Sequence, residues 1–365
     1  LLREIFPQNI IARNYAGGLT GYLGYDCVNY FEHALTLQSN AMFDAFRFGL
    51  YKDGLIYDKM TGELSYFWYT DSRIELVEEL IKMKAPQNGP LQVVSLGETM
   101  GKKEHKKAVL KVKDYIIEGK IFQIEVGFKS RFKVKGDTIN IYEQMRKDNP
   151  SPQMYYLKFG DQKIIGASPE LLFRLRQGEM ETFPLAGTTK RGIDKKEDVK
   201  NARQLLNDPK EIAEHVMLLD LERNDMGRVC EYGSVYVNEI MTLETYPYVH
   251  HIVSNIKGNL RKHIGVKQIV KALFPGGTIT GCPKVRCMEI INELEQMPRE
   301  AYTGSVGYVS QNGKMDFNIL IRSFIHQGDT LTFRAGAGIV FDSDPLRELA
   351  ETRHKAQGLI KVFEK

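Results

Sequence analysis

Residues 208–227 (DPKEIAEHVMLLDLERNDMG) constrain this chain more than any other stretch, because they define a helix at both of its ends. Asp208 is a typical N-cap residue, and Pro209 fits the first helical position. Gly227 is a typical C-terminal stop. These signals predict one helix that covers the whole stretch.

The faces of this predicted helix carry an unusual mixture of residues. Glu211 and Glu214 fall on the same stripe as two leucines, since side chains at i, i+3 and i+7 align on a helix. The other faces are apolar as well, which predicts a buried helix; they carry Val216, Met217 and Leu219. An ionised carboxylate is rarely buried unless it is paired or metal-bound, so these acids need a partner.

The composition excludes several classes of protein. With 365 residues, 42% hydrophobic and 26% charged, the chain fits a soluble globular protein of one large or two ordinary domains. The net charge of +4 is spread along the chain without a nucleic-acid-binding signature, which leaves a small anionic substrate as its use. The four cysteines form no C-x-x-C pair, and neither a membrane span nor a signal peptide is visible, so we expect a cytoplasmic protein with reduced thiols.

The order of the predicted elements indicates the fold class. Strand-like segments come in consecutive runs rather than in strict alternation with helices, which predicts an α+β fold with large, mostly antiparallel β-sheets. Residues 85–95 have the composition of a loop, with Pro86, Asn88, Gly89 and Pro90 close together. We place a soft domain boundary there.

The last helix repeats the arrangement of acids. Asp344 and Pro345 again supply a cap and a first-turn proline, and Glu348, Glu351 and Lys355 share one stripe. An exposed helix with a Glu351–Lys355 ion pair would explain this pattern. Two E-x-x-E helices that face one pocket would instead supply four hard oxygen ligands, which suit Mg²⁺ and not zinc.

Two glycine-rich segments predict close approach of a ligand. Residues 274–284 (FPGGTITGCPK) end at a predicted helix start, where backbone N–H groups can donate to an anion. A structural turn is the alternative, and the Walker spacing is absent. Residues 335–338 (AGAG) read as a strand whose small side chains leave room for a ligand.

A series of motifs in one order resembles the chorismate-utilising enzymes, most closely the anthranilate synthase component I group. The motifs are IFQ (121–123), NPSP (149–152), GASPE (166–170), PLAGT (184–188), AEHVMLLDLERND (213–225), HIVS (251–254), GTITGCPK (277–284), YTGSVGY (302–308), IRS (321–323), AGAGIV (335–340) and E-x-x-E-x-x-x-K (348–355). Each motif alone is weak, but the ordered series is specific.

The resemblance implies a fold and a domain division. The fold would be a sandwich of large antiparallel sheets with helices on the outside. Residues 96–365 would form the chorismate-binding catalytic domain. Residues 1–95 would be the remainder of an N-terminal region whose start we expect to lie before Leu1.

The resemblance also implies a magnesium enzyme that acts on chorismate. By position, Glu214 and Glu351 are similar to direct Mg²⁺ ligands, and Glu211 and Glu348 to residues that hold the metal through water. Metal binding would explain why these acids lie on apolar stripes, and the ion would act as Lewis acid and orienting template.

Further positions match the family's substrate contacts. Tyr302 and Arg322 are similar to residues that bind the enolpyruvyl carboxylate, and Lys355 resembles a second carboxylate contact. Backbone N–H groups are the other implied donors; they belong to Ala335, Gly336, Ala337, Gly338 and the loop from Thr278 to Gly281.

The catalytic positions follow from the same motifs. Glu170 matches the general acid that protonates the departing 4-hydroxyl, which requires a raised pKa. His251 matches a histidine that assists elimination of pyruvate, although a histidine before Ile-Val is otherwise typical of a packed strand. We count the loop residue Thr278 with the catalytic residues.

Ala186 separates the members of the family. Relatives that make 4-amino-4-deoxychorismate often have a lysine here that attacks C2, and isochorismate and salicylate members use a lysine as a base. An alanine lets ammonia add at C2, which predicts anthranilate synthase, a carbon–oxygen lyase at the first step of tryptophan biosynthesis. Aminodeoxychorismate synthase component I remains the alternative, because FPGGTITGCPK reads closer to that group. A non-catalytic ligand-binding relative is a further alternative.

The resemblance implies partners as well. The chain has no cysteine nucleophile motif for amide transfer, so a glutamine amidotransferase subunit (component II) would supply ammonia. Tryptophan is a candidate feedback ligand, but Gln153 stands where an aromatic residue is common in regulated members. We expect no nucleic-acid or membrane partner.

Overall fold

The computed structural model describes residues 15–40, 43–85, 88–246, 249–295 and 297–364. Leu1 and Pro86, which entered the sequence expectations, lie outside these ranges. No helix in the described ranges combines the length and the apolar content needed to cross a membrane.

Eight α-helices lie within the described residues. They are α1 (Ile74–Lys82), α2 (Lys102–Ile117), α3 (Ile139–Asp148), α4 (Lys195–Asn207), α5 (Pro209–Gly227), α6 (Val266–Leu273), α7 (Lys284–Glu295) and α8 (Pro345–Ile360). Short 3₁₀ helices cover Tyr25–Tyr30 and Lys361–Phe363.

The strands of the same ranges are numbered in chain order. They are β1 (Gly18–Leu23), β2 (Phe46–Tyr51), β3 (Asp53–Asp58), β4 (Glu63–Trp68), β5 (Gln92–Glu98), β6 (Gln123–Lys135), β7 (Gln153–Phe159), β8 (Gln162–Ser168), β9 (Leu171–Arg176), β10 (Glu179–Thr182), β11 (Leu185–Lys190), β12 (Tyr236–Thr245), β13 (Val249–Asn259), β14 (Gly281–Cys282), β15 (Ser305–Ser310), β16 (Met315–Asn318), β17 (Ser323–Gln327) and β18 (Thr330–Ile339).

Two large antiparallel sheets form the molecule. The first has the order β11-β13-β10-β9-β16-β15-β1-β2, with β12 also on β13. The second has the order β14-β6-β18-β17-β8-β7, with β5 also on β6. The hairpin β3–β4 is separate. This arrangement confirms the α+β class with large, mostly antiparallel sheets.

The cores show how the layers stack. One cluster, which includes Tyr22 and Val306 of the first sheet and Ile164 and Ile325 of the second, joins the two sheets. Neighbouring residues such as Ile165 point the other way, because side chains alternate across a strand, and pack with α2, α3, α7 and α8. A third cluster packs α5 and α6 on the first sheet. The helices therefore lie outside a two-sheet sandwich.

Two expectations about local structure were wrong. Residues 85–95 were expected to be loop, but Gln92 begins β5, which pairs with β6. Helix α5 is not buried on all faces: Val216 is 41% exposed, while Leu218 and Leu219 are buried. Apolar composition overstated the burial because Ala213 and Val216 of α5 are exposed.

The proposed domain division at residues 95/96 stays a prediction. Strand β1, from the N-terminal side of that division, pairs with β15 from the other side along its whole length. The first sheet is therefore built from both parts of the chain.

Candidate active site

Glu170 lies where the chain passes from β8 in the second sheet to β9 in the first. Its backbone is fixed there, because Ile319 N donates to its carbonyl oxygen (3.0 Å). Thr278 Oγ1 donates to Glu170 Oε1 (2.6 Å). Burial raises the pKa of Glu170 to about 7, against the opposing effect of the Thr278 hydrogen bond. A carboxyl that is about half protonated at neutral pH is suited to act as a general acid.

His251 lies on β13 and is held as a neutral base. Its Nδ1 is hydrogen-bonded to Thr188 Oγ1 (2.8 Å), and its ring meets the Tyr246 ring edge-on at 5.5 Å. The buried Nε2 has no hydrogen-bond partner among the described residues. Burial, together with the smaller effect of the Arg322 charge, lowers the pKa of His251 to about 4. At neutral pH the imidazole is therefore uncharged, with one nitrogen available for a reacting proton.

Ala186 lies on β11, which pairs with the strand that carries this histidine. It pairs with Ile252, and the register of the strands shifts between Ala186 and Thr188. A Cβ on the intervening Gly187 would lie 3.1 Å from Glu211 Oε2, so this part of β11 runs next to helix α5. The alanine methyl is buried and provides no nucleophile or base at this position.

Arg322 offers an unpaired cation. Its φ of +50° is rare for a residue with a side chain, so the surrounding structure holds this backbone in place. Its guanidinium makes no hydrogen bond or ion pair within the part of the chain described above. Burial lowers its pKa, while Tyr246 and Glu170 raise it, so all three lie near one another. A half-buried guanidinium without a partner is suited to bind a carboxylate.

Tyr302 is less available than the sequence suggested. Its hydroxyl donates to Glu125 Oε1 (2.7 Å), and the residue is buried. Glu125 is also held by Arg299 Nη1 (3.4 Å). Substrate binding by Tyr302 therefore stays a prediction, and it would require the hydroxyl to exchange this partner.

The glycine-rich strand lies beside these residues. Ala335, Gly336, Ala337 and Gly338 belong to β18, which pairs with β6. A Cβ on Gly336 would lie 2.5 Å from Glu125 Oε1, and one on Gly338 would lie 2.8 Å from Gln123 Nε2. The missing side chains thus leave room for buried polar groups of β6.

Two predicted substrate contacts are engaged within the protein. Lys355 Nζ donates to the Gly336 carbonyl (3.1 Å) and pairs with Glu351 (2.9 Å). Gly281 N–H donates to the Gly277 carbonyl (2.9 Å). A Cβ on Gly281, whose φ is +128°, would lie 2.1 Å from the Gln123 carbonyl oxygen, so this glycine is required by the close strand contact. Their roles toward substrate stay predictions.

The two E-x-x-E helices begin as predicted. Asp208 Oδ1 accepts hydrogen bonds from Lys210 N (2.9 Å) and Glu211 N (3.4 Å). Asp344 Oδ1 accepts from Leu346 N (3.0 Å) and Arg347 N (2.9 Å). These caps fix the first turn of each helix, which carries Glu211 in α5 and Glu348 in α8.

The acids of the two helices influence one another's pKa values. Burial raises the pKa of Glu211, Glu214 and Glu348. The charge of Glu351 raises all three pKa values further, although it lies on the other helix from Glu211 and Glu214. The carboxyl groups of the two helices therefore interact electrostatically with one another.

This acidic group fits a hard divalent cation in its chemistry. Among the described residues no three acids, histidines or cysteines already converge as a metal centre. Glu214 instead accepts from Gln123 Nε2 (2.8 Å), and Glu351 pairs with Lys355. The oxygen donors and their mutual repulsion still match what Mg²⁺ requires, with water completing its coordination.

Three residues of the site were not predicted from the sequence. Gln123 and Glu125 lie on the same face of β6, and they meet Glu214 and Tyr302 respectively. Tyr246 contacts His251 and lies near Arg322. Polar residues at alternate positions of an otherwise buried strand were the available signal for Gln123 and Glu125.

The family assignment follows from this geometry and from comparison with known proteins. The chain matches the chorismate binding enzyme family over residues 3–361, and it belongs to that family. A buried acid, a neutral histidine, an available guanidinium and paired E-x-x-E helices thus lie in a chorismate-binding fold.

Within the family, named relatives narrow the comparison. Anthranilate synthase component 1 of Methanothermobacter thermautotrophicus is 42% identical over 353 residues, covering 97% of this chain and 75% of that relative. Aminodeoxychorismate synthase component 1 of Bacillus subtilis is 38% identical over 366 residues, covering 96% and 78%. The crystal structure of anthranilate synthase component I from Streptococcus pneumoniae superposes with a TM-score of 0.89 at 32% identity, covering 98% of this chain and 84% of that chain.

Replacing Gly336 with alanine tests the space beside Glu125. The new Cβ would displace a carboxylate that is already bonded to Tyr302 and Arg299, so we expect kcat/KM for chorismate to fall at least tenfold. The free energy of unfolding should fall by about 1–3 kcal/mol, as measured by urea denaturation.

Gly358→Ala in α8 is the matched control, because a Cβ added to this glycine would meet nothing within 4 Å. It should retain activity and gain up to about 1 kcal/mol, since alanine favours a helix. Equal changes of kcat/KM in Gly336→Ala and Gly358→Ala would contradict the assignment of Gly336 to the site.

Proposed function

We propose that the chain is component I of an anthranilate synthase, which converts chorismate and ammonia into anthranilate, pyruvate and water. The relatives named anthranilate synthase component 1 support this activity. The observation that carries it is the buried methyl group of Ala186 on β11, the strand that pairs with the His251 strand β13. The next residue, Gly187, adjoins Glu211, and the same site holds a half-protonated Glu170. Nothing at position 186 can attack C2 in place of ammonia.

Substrate binding is assigned to the cations of the site. The Arg322 guanidinium, which has no partner among the described residues, would take the enolpyruvyl carboxylate in a bidentate contact. Lys355 and the backbone of Gly336 and Gly338 would border the rest of the ring. The positive charges near a dianionic substrate also account for its orientation.

The amination step uses Glu170. The nitrogen lone pair of ammonia forms a bond to C2, the two ring double bonds shift, and the C4–oxygen bond breaks. Glu170 delivers its proton to the departing oxygen, which leaves as water. Burial raises the pKa of the carboxyl and so favours its protonated form, while the hydrogen bond from Thr278 orients it for this transfer.

Elimination of pyruvate uses His251. Its Nε2, which no described residue engages, takes the proton from C2, the C3–oxygen bond breaks, and the ring becomes aromatic. The enolpyruvyl fragment leaves and takes up a proton to become pyruvate. The bond between Nδ1 and Thr188 fixes the imidazole for this task.

We assign Mg²⁺ to the four acids, with Glu214 and Glu351 as direct ligands and Glu211 and Glu348 behind water. When bound, the ion would supply Lewis-acid polarisation of the ring carboxylate. Its charge would also relieve the repulsion that raises the pKa values of these acids.

A glutamine amidotransferase subunit is the proposed source of ammonia, and the cytoplasm is the proposed location. The name component 1 of the relatives supports a second subunit. Tryptophan is kept as a candidate feedback ligand.

The second candidate is aminodeoxychorismate synthase component I. The Bacillus subtilis relative of that name, at 38% identity, favours it. Its product carries the amine at C4, and Ala186 provides no nucleophile for a covalent route to that product.

The proposed activity is tested with the purified chain, chorismate, Mg²⁺ and ammonium chloride. We expect the blue fluorescence of anthranilate and an equal amount of pyruvate without any second subunit. Glutamine in place of ammonium should give no product. Consumption of chorismate without anthranilate would contradict the proposal.

A further inference from the structure

His250, next to the catalytic His251, faces a different set of residues. Its Nε2 donates to Asp198 Oδ1 of α4 (3.0 Å), and its Nδ1 is hydrogen-bonded to Thr245 Oγ1 (2.9 Å). The residue is buried. None of these groups takes part in the reaction derived above, so this second histidine needs another explanation.

Asp198 is the centre of a closed cluster. Arg191 binds it in a bidentate manner, with Nε to Oδ1 and Nη2 to Oδ2, both at 2.8 Å. Gly192 N–H donates to the same Oδ1 (2.8 Å). The Arg191 hydrogen bonds hold the pKa of Asp198 well below its usual range, so the carboxylate stays ionised. The cluster of Arg191, Asp198 and His250 thus joins β11, α4 and β13.

This cluster holds the backbone of Tyr246. Arg191 Nη1 donates to the Tyr246 carbonyl oxygen (3.0 Å). Tyr246 N–H donates to the carbonyl oxygen of Val249, the first residue of β13 (2.8 Å). The backbone of Tyr246 is therefore fixed on both sides.

The Tyr246 side chain contacts the catalytic histidine. Its ring meets the His251 ring edge-on, with centroids 5.5 Å apart and planes at 66°. Its hydroxyl donates to Glu244 Oε2 (2.6 Å), which fixes the ring in turn. The imidazole is thereby held by the Thr188 hydrogen bond at Nδ1 and by its contact with the Tyr246 ring.

We propose that Tyr246 is a positioning residue for His251, held in place by the cluster of Arg191, Asp198 and His250. It acts on the elimination of pyruvate and not on the addition of ammonia. This inference rests on the proposed function, because it assigns the second step of that reaction to His251. Without the aromatic ring the imidazole could rotate about its last side-chain torsion, and Nε2 would no longer face C2.

Because His251 acts only in the second step, the ratio of aminated intermediate to anthranilate reports on its position. A purely structural role of Tyr246 would leave this ratio unchanged. Misplacing His251 slows only the second step, so the aminated intermediate, aminodeoxyisochorismate, should be released. A general loss of folding would lower both steps together. The ratio of intermediate to anthranilate therefore reports on the position of His251 rather than on stability.

The test compares Tyr246→Ala with Tyr246→Phe, using chromatography of the products formed from chorismate, Mg²⁺ and ammonium. Tyr246→Ala should consume chorismate at nearly the wild-type rate but form anthranilate on the order of tenfold to a hundredfold more slowly, with intermediate accumulating. Tyr246→Phe keeps the ring and should stay within about threefold of wild type. Asp198→Asn should shift the same ratio by a smaller factor, because it weakens the Arg191 contact.

Tyr232→Ala removes a tyrosine that is 93% exposed and serves as the matched control, with an unchanged ratio. An unchanged ratio in Tyr246→Ala, or equal losses of both products, would overturn the inference. Wild-type chain that forms no anthranilate would instead contradict the proposed function.

A second measurement does not depend on turnover. In ¹⁵N NMR spectra of histidine-labelled chain, with His251→Ala for assignment, wild-type His251 should show one fixed tautomer. Tyr246→Ala should show averaged nitrogen shifts and a pKa that rises from about 4 toward the ordinary histidine value, because burial is lost. An unaltered His251 signal would overturn the inference whatever the activity.

Discussion

Replacing Glu170 with glutamine should reduce kcat/KM for chorismate by roughly 100-fold to 10,000-fold, the usual contribution of a general acid. Glutamine keeps the shape of the side chain and can still accept the hydrogen bond from Thr278. It has no proton for the departing hydroxyl. The loss should therefore appear in kcat, with little change in KM, in steady-state kinetics with saturating ammonium.

The pKa of Glu170 predicts the pH dependence of activity. With a pKa raised by burial to about 7, the acid form is present below neutrality and is lost as pH rises through 7. The wild-type rate of the amination step should fall above that value. This limb of the pH profile should be absent in Glu170→Gln, whose residual activity depends on pH only through other groups.

The same pKa predicts the pH dependence of stability. The folded carboxyl binds its proton up to about pH 7, but the unfolded chain releases it near 4.5. Between these values the folded state holds more protons, so wild-type stability falls as pH rises. Glu170→Gln lacks this proton-binding group, so its free energy of unfolding does not fall for this reason. The difference in unfolding free energy, variant minus wild type, should therefore rise by roughly 3 kcal/mol between pH 4.5 and pH 8.

Glu222 provides a control for burial without catalysis. It is buried on α5, hydrogen-bonded to Thr182, with its pKa raised by burial to about 8. The unfolding free energy of Glu222→Gln relative to wild type should also rise with pH. The activity of this variant should stay within about tenfold of wild type. Full activity in Glu170→Gln would contradict the role of Glu170 as the acid.

Replacing Glu214 with glutamine should abolish the stabilisation of the chain by Mg²⁺. Without metal, the variant should be at least as stable as wild type near pH 8, because burial and Glu211 make the wild-type charge unfavourable there. Glutamine can still accept the bond from Gln123. With Mg²⁺ at a tenfold to hundredfold excess over its dissociation constant, wild type should gain roughly 1.4 to 2.7 kcal/mol and the variant much less.

Urea denaturation with and without Mg²⁺ measures how much the ion stabilises wild type and Glu214→Gln. Turnover in Mg²⁺ should fall at least a hundredfold in the variant. Asp220→Asn is the matched control, since Asp220 lies on the same helix but pairs with Arg223 (2.8 Å) at the surface. Equal Mg²⁺ stabilisation of wild type and Glu214→Gln would show that the ion does not bind this acid.

The parts of the fold that depend on local chemistry could be predicted from the sequence. The caps Asp208 and Asp344 and their following prolines define both E-x-x-E helices, because these signals lie within one turn. The antiparallel character of the sheets also followed from consecutive strand runs. Glu170 and His251 were predicted as site residues from ordered motifs rather than from any local pattern of burial.

What depends on contacts between distant residues could not be predicted. The bond between Tyr302 and Glu125 joins residues far apart in sequence, and no local signal reports that the hydroxyl is already engaged. The same holds for Tyr246, which contacts His251 and whose backbone carbonyl is bound by the distant Arg191. Helix α4, which carries Asp198, gives little signal in the sequence. Leu205 is its only buried residue, so its apolar periodicity is weak.

The proposed reaction requires that ammonia adds at C2 of chorismate and that the product is aromatic. ¹⁵N NMR of the reaction of the chain with chorismate, Mg²⁺ and ¹⁵N-ammonium locates the added nitrogen itself. We expect a single final product, anthranilate, with the labelled nitrogen on the carbon next to the one that bears the carboxylate, and free pyruvate in equal amount. Labelled nitrogen at C4, in a product that keeps its enolpyruvyl group, would contradict the proposed reaction.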